Sequence, residues 1–378
     1  MIDDAVAWVR GQRPSMEALL RALVEESSHT LDPRGVDAAG AVLRAAVPLA
    51  CRAVPSARFG SHLFFEGVRP AGEGGVVLVG HHDTVFAREV FAGYRAEGDV
   101  AYGPGVLDMK GGLVVMAFAL RALAAVGALE RVALTMAVVA DEEVGSPESA
   151  PWLAEAARGA AVALVFEAGR AGDAIVTRRK GTLAITARAT GRAAHAGNAH
   201  AQGASAIRAM AKFIESAEAL TDYGRGVTVN VGTVHGGTSK NTVPAHCVAE
   251  LDGRFERTAD GEDLVARLHD LVSAPSVAGA IVALEGGVAR APLERTEEGA
   301  RWMRRYAECQ RAAGLGDGEA PPQGGGSDAS TTAAAGVPSI DGLGPRGSGF
   351  HTLDERVELD SLVPKCEALV RFLLGMAG

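Results

Sequence analysis

The 378-residue chain is poor in aromatic residues, at 5%, and holds only four cysteines, Cys51, Cys247, Cys309 and Cys366. The aromatic shortage, and the lack of any Lys/Arg-rich run, speak against a nucleic-acid partner, which needs a basic footprint or a base-stacking platform. No uninterrupted apolar run of ~18 residues occurs, so no membrane span is expected. The cysteines lie far apart in no metal-binding spacing and read as reduced, buried thiols of a cytoplasmic protein. The opening MIDDAVAWVR carries acids where a secretory signal would carry positive charge. What is present is ordinary for a soluble globular protein: 48% hydrophobic residues, 22% charged and a formal net charge of −9. At ~150 residues per domain the length predicts about two domains.

Apolar periodicity predicts helices within residues 1–50, through Val6, Val9, Leu19, Leu20, Leu23, Val42, Leu43 and Val47. Beyond them, short apolar runs alternate with helical stretches. VVLVG (76–80), RVALTMAVVA (131–140) and VALVF (162–166) read as buried strands, and 111–128 reads as a helix entered through glycines. That alternation predicts an α/β domain with a largely parallel sheet flanked by helices. From about residue 180 the texture changes. Alternating strands at 181–191, 227–237 and 246–256, with amphipathic helices at 204–220 and 262–272, predict an inserted α+β unit. A long helix near 297–315 returns the chain to the first domain, and 316–330 reads as a loop. The expected division is 1–179 and 289–378 for the catalytic domain, with 180–288 inserted.

The ionisable residues cluster at strand ends. One strand runs into His81, His82 and Asp83, the next into Asp141, Glu142 and Glu143, and the third into Glu167. Ligands and catalytic groups of open α/β sheets collect at the carboxyl ends of strands, so these residues should converge on one crevice. Asp108, in the glycine-rich loop GPGVLDMKGG before a helix, is either a helix cap or a further member of that crevice. His351 lies in a loop near the other end of the chain. Imidazole and carboxylate donors suit Zn2+, with Mn2+ or Co2+ as substitutes. The donor count suits two ions sharing one carboxylate. Coincidence at three strand ends favours metal binding over a set of unrelated polar residues.

Six segments occur in order: GHHDTV (80–85), GPGVLDMKGG (103–112), DEEVGS (141–146), FEAG (166–169), GRAAHAG (191–197) and GFHTLDE (349–355). With them the chain resembles the dizinc peptidases that include glutamate carboxypeptidase, aminoacylase and succinyl-diaminopimelate desuccinylase, and the glutamate carboxypeptidase branch above all. The resemblance implies two zinc ions held by His81, Asp108, Glu143, Glu167 and His351, with Asp108 shared. Asp83 would orient His81, and Glu142 would be the general base. His82 occupies the variable middle of the H-x-D motif and is not counted as a ligand. The inserted unit resembles the family's lid and dimerisation domain, with hinges near 178–182 and 286–290. The resemblance therefore implies a homodimer, in which His195 would help hold the oxyanion in the partner's active site.

SKNTVPAHCVAELDGR (239–254) is similar to the family's segment for a substrate carboxylate. It places Asn241 and Arg254 in that role, with Arg290 as a weaker candidate and GGGSDA (324–329) as a loop beside the site. The implied reaction is hydrolysis of an amide next to a free carboxylate in a small, dipeptide-like substrate. N-acyl amino acids, dipeptides and folate-like glutamyl conjugates all remain open. The family's glutamate-recognising lysine falls near Arg178, Arg179 and Lys180 and is not assigned to any one of them. Two other readings stand beside this one: the same scaffold acting on a non-peptide substrate such as a small aromatic amine, and a metal-retaining binding protein without catalysis.

Overall fold

In the computed structural model, residues 1–68 and 74–377 are described. The chain divides into two units. The first comprises Met1–Arg178, Arg295–Gln323 and Ser327–Gly378; the second comprises Arg179–Glu294 with Gly324–Gly326.

The first unit is built on a mixed six-stranded sheet. Its spatial order is Ala50–Val54, His62–Glu66, Leu134–Val139, Val76–His81, Val162–Val165 and Ser339–Ile340. The last four strands run parallel, and the first two are antiparallel additions at one edge. Every residue of Val76–His81, Leu134–Val139 and Val162–Val165 is buried. This is the signature of strands covered on both faces, and it explains why they read as solid apolar runs. The helix Lys110–Ala125 is apolar nearly all round and buried along most of its length. No side chain caps its N-terminus. Its position is therefore set by burial, to which each leucine or phenylalanine contributes ~1.5–3 kcal/mol. Gly112 sets its approach to the sheet: a Cβ there would lie 2.1 Å from the Phe166 carbonyl oxygen. That contact seats the start of the helix beside the strand end that carries Glu167.

The helices at the N-terminus are Ile2–Arg10, Arg13–Glu25 and Pro33–Ala46. Glu297–Ala312 and Leu362–Leu374 complete the helical cover, and the latter packs on Lys110–Ala125. The loop expected over 316–330 ends slightly early, in a short helix Asp328–Ala334. No helix among the described residues is long and apolar enough to cross a membrane. All four cysteines are free thiols.

The second unit is an antiparallel sheet ordered Thr228–Gly236, His246–Phe255, Gly181–Thr190 and Ile281–Arg290, with helices Ala206–Glu218 and Thr258–Val272. Alternate residues of Gly181–Thr190 are buried, as its alternating sequence predicts. The strand Ile281–Arg290 is absent from the sequence-based reading.

Candidate metal centre

The strand Val76–His81 delivers His81 to the carboxyl edge of the sheet. Its ring is 1% exposed, and its Nδ1 lies 3.0 Å from the Asp83 carbonyl oxygen and 3.3 Å from Asp83 Oδ1. With acceptors on that side the proton sits on Nδ1, which leaves the Nε2 lone pair for a ligand; metal-bound histidines are oriented in this manner. Nε2 faces Asp108 Oδ1 at 3.3 Å and Glu167 Oε1 at 3.8 Å. A second cluster lies on the other side of Asp108. Nε2 of His351 is 3.5 Å from Asp108 Oδ2 and 3.1 Å from Glu143 Oε2.

The donor atoms within each trio, His81–Asp108–Glu167 and Asp108–Glu143–His351, all lie within 4.8 Å of one another. Donors ~2.1 Å from a tetrahedral ion stand about 3.4 Å apart, so the spacing fits two ions with Asp108 between them. His351 adopts a left-handed backbone, φ +62°, which is uncommon for a residue with a side chain and belongs to the turn that presents its ring.

The electrostatics fit the same group. Burial, reinforced by Asp108, pushes the Glu143 carboxyl up to about 8 and the Glu167 carboxyl well above its usual range. Hydrogen bonds to Asp108 and Glu143 push His351 up to about 10. His81 is also held well above its ordinary value: burial opposes this, but Asp108 and Asp83 prevail. Three carboxylates crowd a space with too little positive charge, and in the metal-free protein protons make up the shortfall. Loading zinc at neutral pH should therefore release protons, and apparent affinity should fall as pH falls. Calorimetry in two buffers of different ionisation enthalpy checks this; identical heats would contradict it.

Asp83 ties the two clusters together. It is fully buried, and its carboxylate accepts from the backbone N–H of Glu142 at 3.3 Å, the N–H of Glu143 at 3.2 Å and Thr30 Oγ1 at 2.8 Å. Burial works against its ionised form, but His81 and Thr30 hold its carboxyl below the usual value. One carboxylate thus orients His81 and fixes the turn that bears the acidic pair. Within that turn Glu143 joins the second trio, whereas Glu142 belongs to neither. His82 also lies in neither trio, and burial pushes its ring down to about 4.

Thr30 lies outside every segment singled out in the sequence. Glu355 closes the segment GFHTLDE, which gives it no role; its buried carboxylate accepts backbone hydrogen bonds from the loop carrying Asp108. Lys110 is likewise fully buried, and its Nζ donates to the Glu26 carbonyl oxygen at 3.0 Å.

The remaining candidates lie in the second unit. His195 is exposed, and its Nδ1 accepts from the backbone N–H of Gly197 at 3.1 Å and of Asn198 at 3.0 Å. An Nδ1 that accepts twice places the proton of the neutral ring on Nε2, which makes Nε2 a donor. Asn241 is adjacent: its carbonyl oxygen accepts from the Ala196 N–H at 2.9 Å, and its neighbour Thr242 pairs with His195. Arg254 and Arg290 share one row of the sheet, each paired with Thr182 from opposite sides. Paired residues present their side chains on the same face. Arg254 makes a bidentate ion pair with Asp252, both contacts at 2.7 Å, and is one-third exposed. Arg290 is nearly buried, and its Cδ would lie 2.7 Å from a Cβ added at Gly326.

Two donor clusters that share a carboxylate, set at the strand ends of an α/β sheet, define a dinuclear metallohydrolase. A family model described as Peptidase family M20/M25/M40 matches residues 77–375, and the chain belongs to that family. It is 27% identical over 373 residues to carboxypeptidase G2 of Pseudomonas sp. (strain RS-16), across 97% of this chain and 90% of that protein. With succinyl-diaminopimelate desuccinylase of Leptothrix cholodnii the identity is 25% over 381 residues, covering 95% and 98% of the two chains. Among solved structures, a tripeptidase from Staphylococcus aureus has the same fold, with a TM-score of 0.77 at 21% identity over 97% of this chain and 98% of that one.

Proposed function

We propose that the protein is a two-zinc hydrolase of the glutamate carboxypeptidase branch, cleaving an amide bond next to a free carboxylate in a small substrate. The observation that carries this reading is the placement of Asp108, with one oxygen toward His81 and the other toward His351. In this reading His81, Asp108 and Glu167 hold one ion, and Asp108, Glu143 and His351 hold the other. Manganese or cobalt would be accepted by the same donors. When bound, the ions supply Lewis acidity that polarises the scissile carbonyl and acidifies water.

The chain's own residues do the rest. Glu142 stands outside both trios and takes a proton from the attacking water and returns it to the leaving amine. Asp83 keeps His81 in its ligating tautomer and holds the Glu142–Glu143 turn in place. His195, through its Nε2–H, donates to the developing oxyanion, a contribution of ~3 kcal/mol for one such donor. In the homodimer this donor is supplied to the partner's site. Full-length similarity to carboxypeptidase G2 supports the branch and the carboxylate-bearing substrate.

Arg254 is the proposed anchor of that carboxylate, with Asn241 and Arg290 assisting. Asp252 engages two of its five N–H donors, leaving three for a ligand. Arg254→Ala should raise KM for carboxylate substrates about 10-fold or more, in line with the loss of a charged hydrogen bond, and leave kcat nearly unchanged. Steady-state kinetics on paired substrates, one with a free carboxylate and one with it amidated, check this; an equal effect on both would contradict the anchoring role. The reaction class itself is tested on a panel of N-acyl amino acids, dipeptides, glutamyl conjugates and aryl amines. Turnover confined to aryl amines would replace amide hydrolysis by the non-peptide reading.

A further inference from the structure

The loop that carries Asp108 is fixed by a residue with no place among the ligands. Glu355 is 2% exposed. Its Oε2 accepts from the Gly105 N–H, and its Oε1 from the N–H groups of Leu107 and Asp108, each at 2.9 Å. The chain around it makes the arrangement a clasp. Strand Arg356–Glu358 pairs antiparallel with Val100–Tyr102, Arg356 opposite Tyr102. The loop leaving one strand therefore starts beside the loop entering the other, and the Gly103 N–H reaches back to the Glu355 carbonyl oxygen at 3.4 Å. The entering loop is the one that bears His351, four residues before Glu355, and it is closed by the Glu355 N–H on the Thr352 carbonyl oxygen at 3.2 Å.

We propose that Glu355 is a positioning residue for the shared ligand Asp108, fixing its loop against the loop of His351 before any metal arrives. The proposal rests on the metal roles assigned above and extends them to a residue that touches no donor atom of either trio. The argument is one of chemistry and degrees of freedom. Asp108 must offer two oxygens in two directions at once, so a small rotation of its backbone misaligns both clusters together. A loop rich in glycine has little intrinsic preference for one conformation. On the helix side Lys110 is already tied to the Glu26 carbonyl oxygen. On the loop side a carboxylate accepting three amide hydrogen bonds supplies the corresponding restraint, and charge-assisted bonds to backbone N–H are stronger than neutral ones. Partners of this kind, one step removed from the ligands, govern metal affinity because a preformed site pays no ordering cost on binding.

Glu355→Gln keeps the length of the side chain and turns one acceptor into a donor that faces a backbone N–H. Glu355→Asp keeps both acceptors and the charge but withdraws them by one methylene. Zinc affinity by competition with a chromophoric chelator should weaken about 10- to 100-fold in each variant. The zinc-induced rise in Tm should shrink in parallel. A merely structural role would lower the Tm of metal-free and loaded protein alike and leave chelator competition at the wild-type value; that result overturns the proposal. The metal-free wild-type protein gives a test free of any variant. The amides of Gly105, Leu107 and Asp108 should be protected from hydrogen exchange before metal is added, and exchange at unstructured rates would also overturn it. Wild-type protein that takes up no zinc in the same competition would instead sink the underlying metal assignment.

Discussion

Glu142→Ala should abolish turnover while the purified protein keeps two metal ions per chain. Removal of a general base costs about 10²- to 10⁴-fold in rate. Here the upper end is expected, because the same carboxylate both accepts the proton and returns it. The metal should survive because Glu142 belongs to neither donor trio. The turn it sits in is held by its backbone N–H on Asp83, a contact that alanine retains. The checks are kcat on the best amide substrate and elemental analysis of the same preparation. If the variant instead loses metal, the roles of Glu142 and Glu143 are exchanged, and the assignment of Glu143 to the second trio is wrong.

The second large effect belongs to Asp108. Its two oxygens face different imidazoles, Oδ1 toward His81 and Oδ2 toward His351. Asp108→Ala therefore removes one donor from each trio at once and should cost both ions, with activity falling to background. Loss of a carboxylate that serves one ion only would leave about one equivalent bound. Metal stoichiometry thus separates the cases: one ion retained would show that the carboxylate serves a single ion, and retention of both would count against any ligand role for Asp108. The fold should persist, since the loop remains anchored through backbone N–H groups on Glu355 and these do not involve the Asp108 side chain. Near-UV and far-UV circular dichroism of the variant provide the control.

The residues at the strand ends are legible in the sequence for a physical reason. In a parallel sheet buried on both faces, the strands Val76–His81, Leu134–Val139 and Val162–Val165 are solid apolar runs, and polar residues at their carboxyl ends stand out against them. The alternating strands of the inserted unit were legible for the opposite reason: one face is covered and the other open. The edge strands were not. Ala50–Val54 is exposed along most of its length and carries no strong apolar pattern. In Ile281–Arg290 the Gly286–Gly287 pair, together with a register shift before Arg290, breaks the alternation on which recognition depends.

Some partnerships within the site cannot be read from any single segment. Glu355 acts on backbone N–H groups about 250 positions earlier in the chain, and backbone partners impose no residue type for a reader to notice. Thr30 reaches Asp83 across a similar gap in kind, from a connection between helices. Alignment of Arg254 and Arg290 about Thr182 required the strand register, which only the folded sheet supplies. One contact in the inserted unit does follow from sequence spacing alone. Asp252 and Arg254 stand two apart on a strand, hence on one face, and their ion pair follows from that spacing.

The most direct test of the account is metal content of the purified protein, measured together with hydrolysis of N-acyl and glutamyl amides before and after chelation. The account predicts about two ions per chain, in keeping with a shared-carboxylate pair of sites, and amide hydrolysis that chelation abolishes and zinc restores. Protein that binds no metal even after reconstitution, or that cleaves amides unchanged in the presence of chelator, would contradict it.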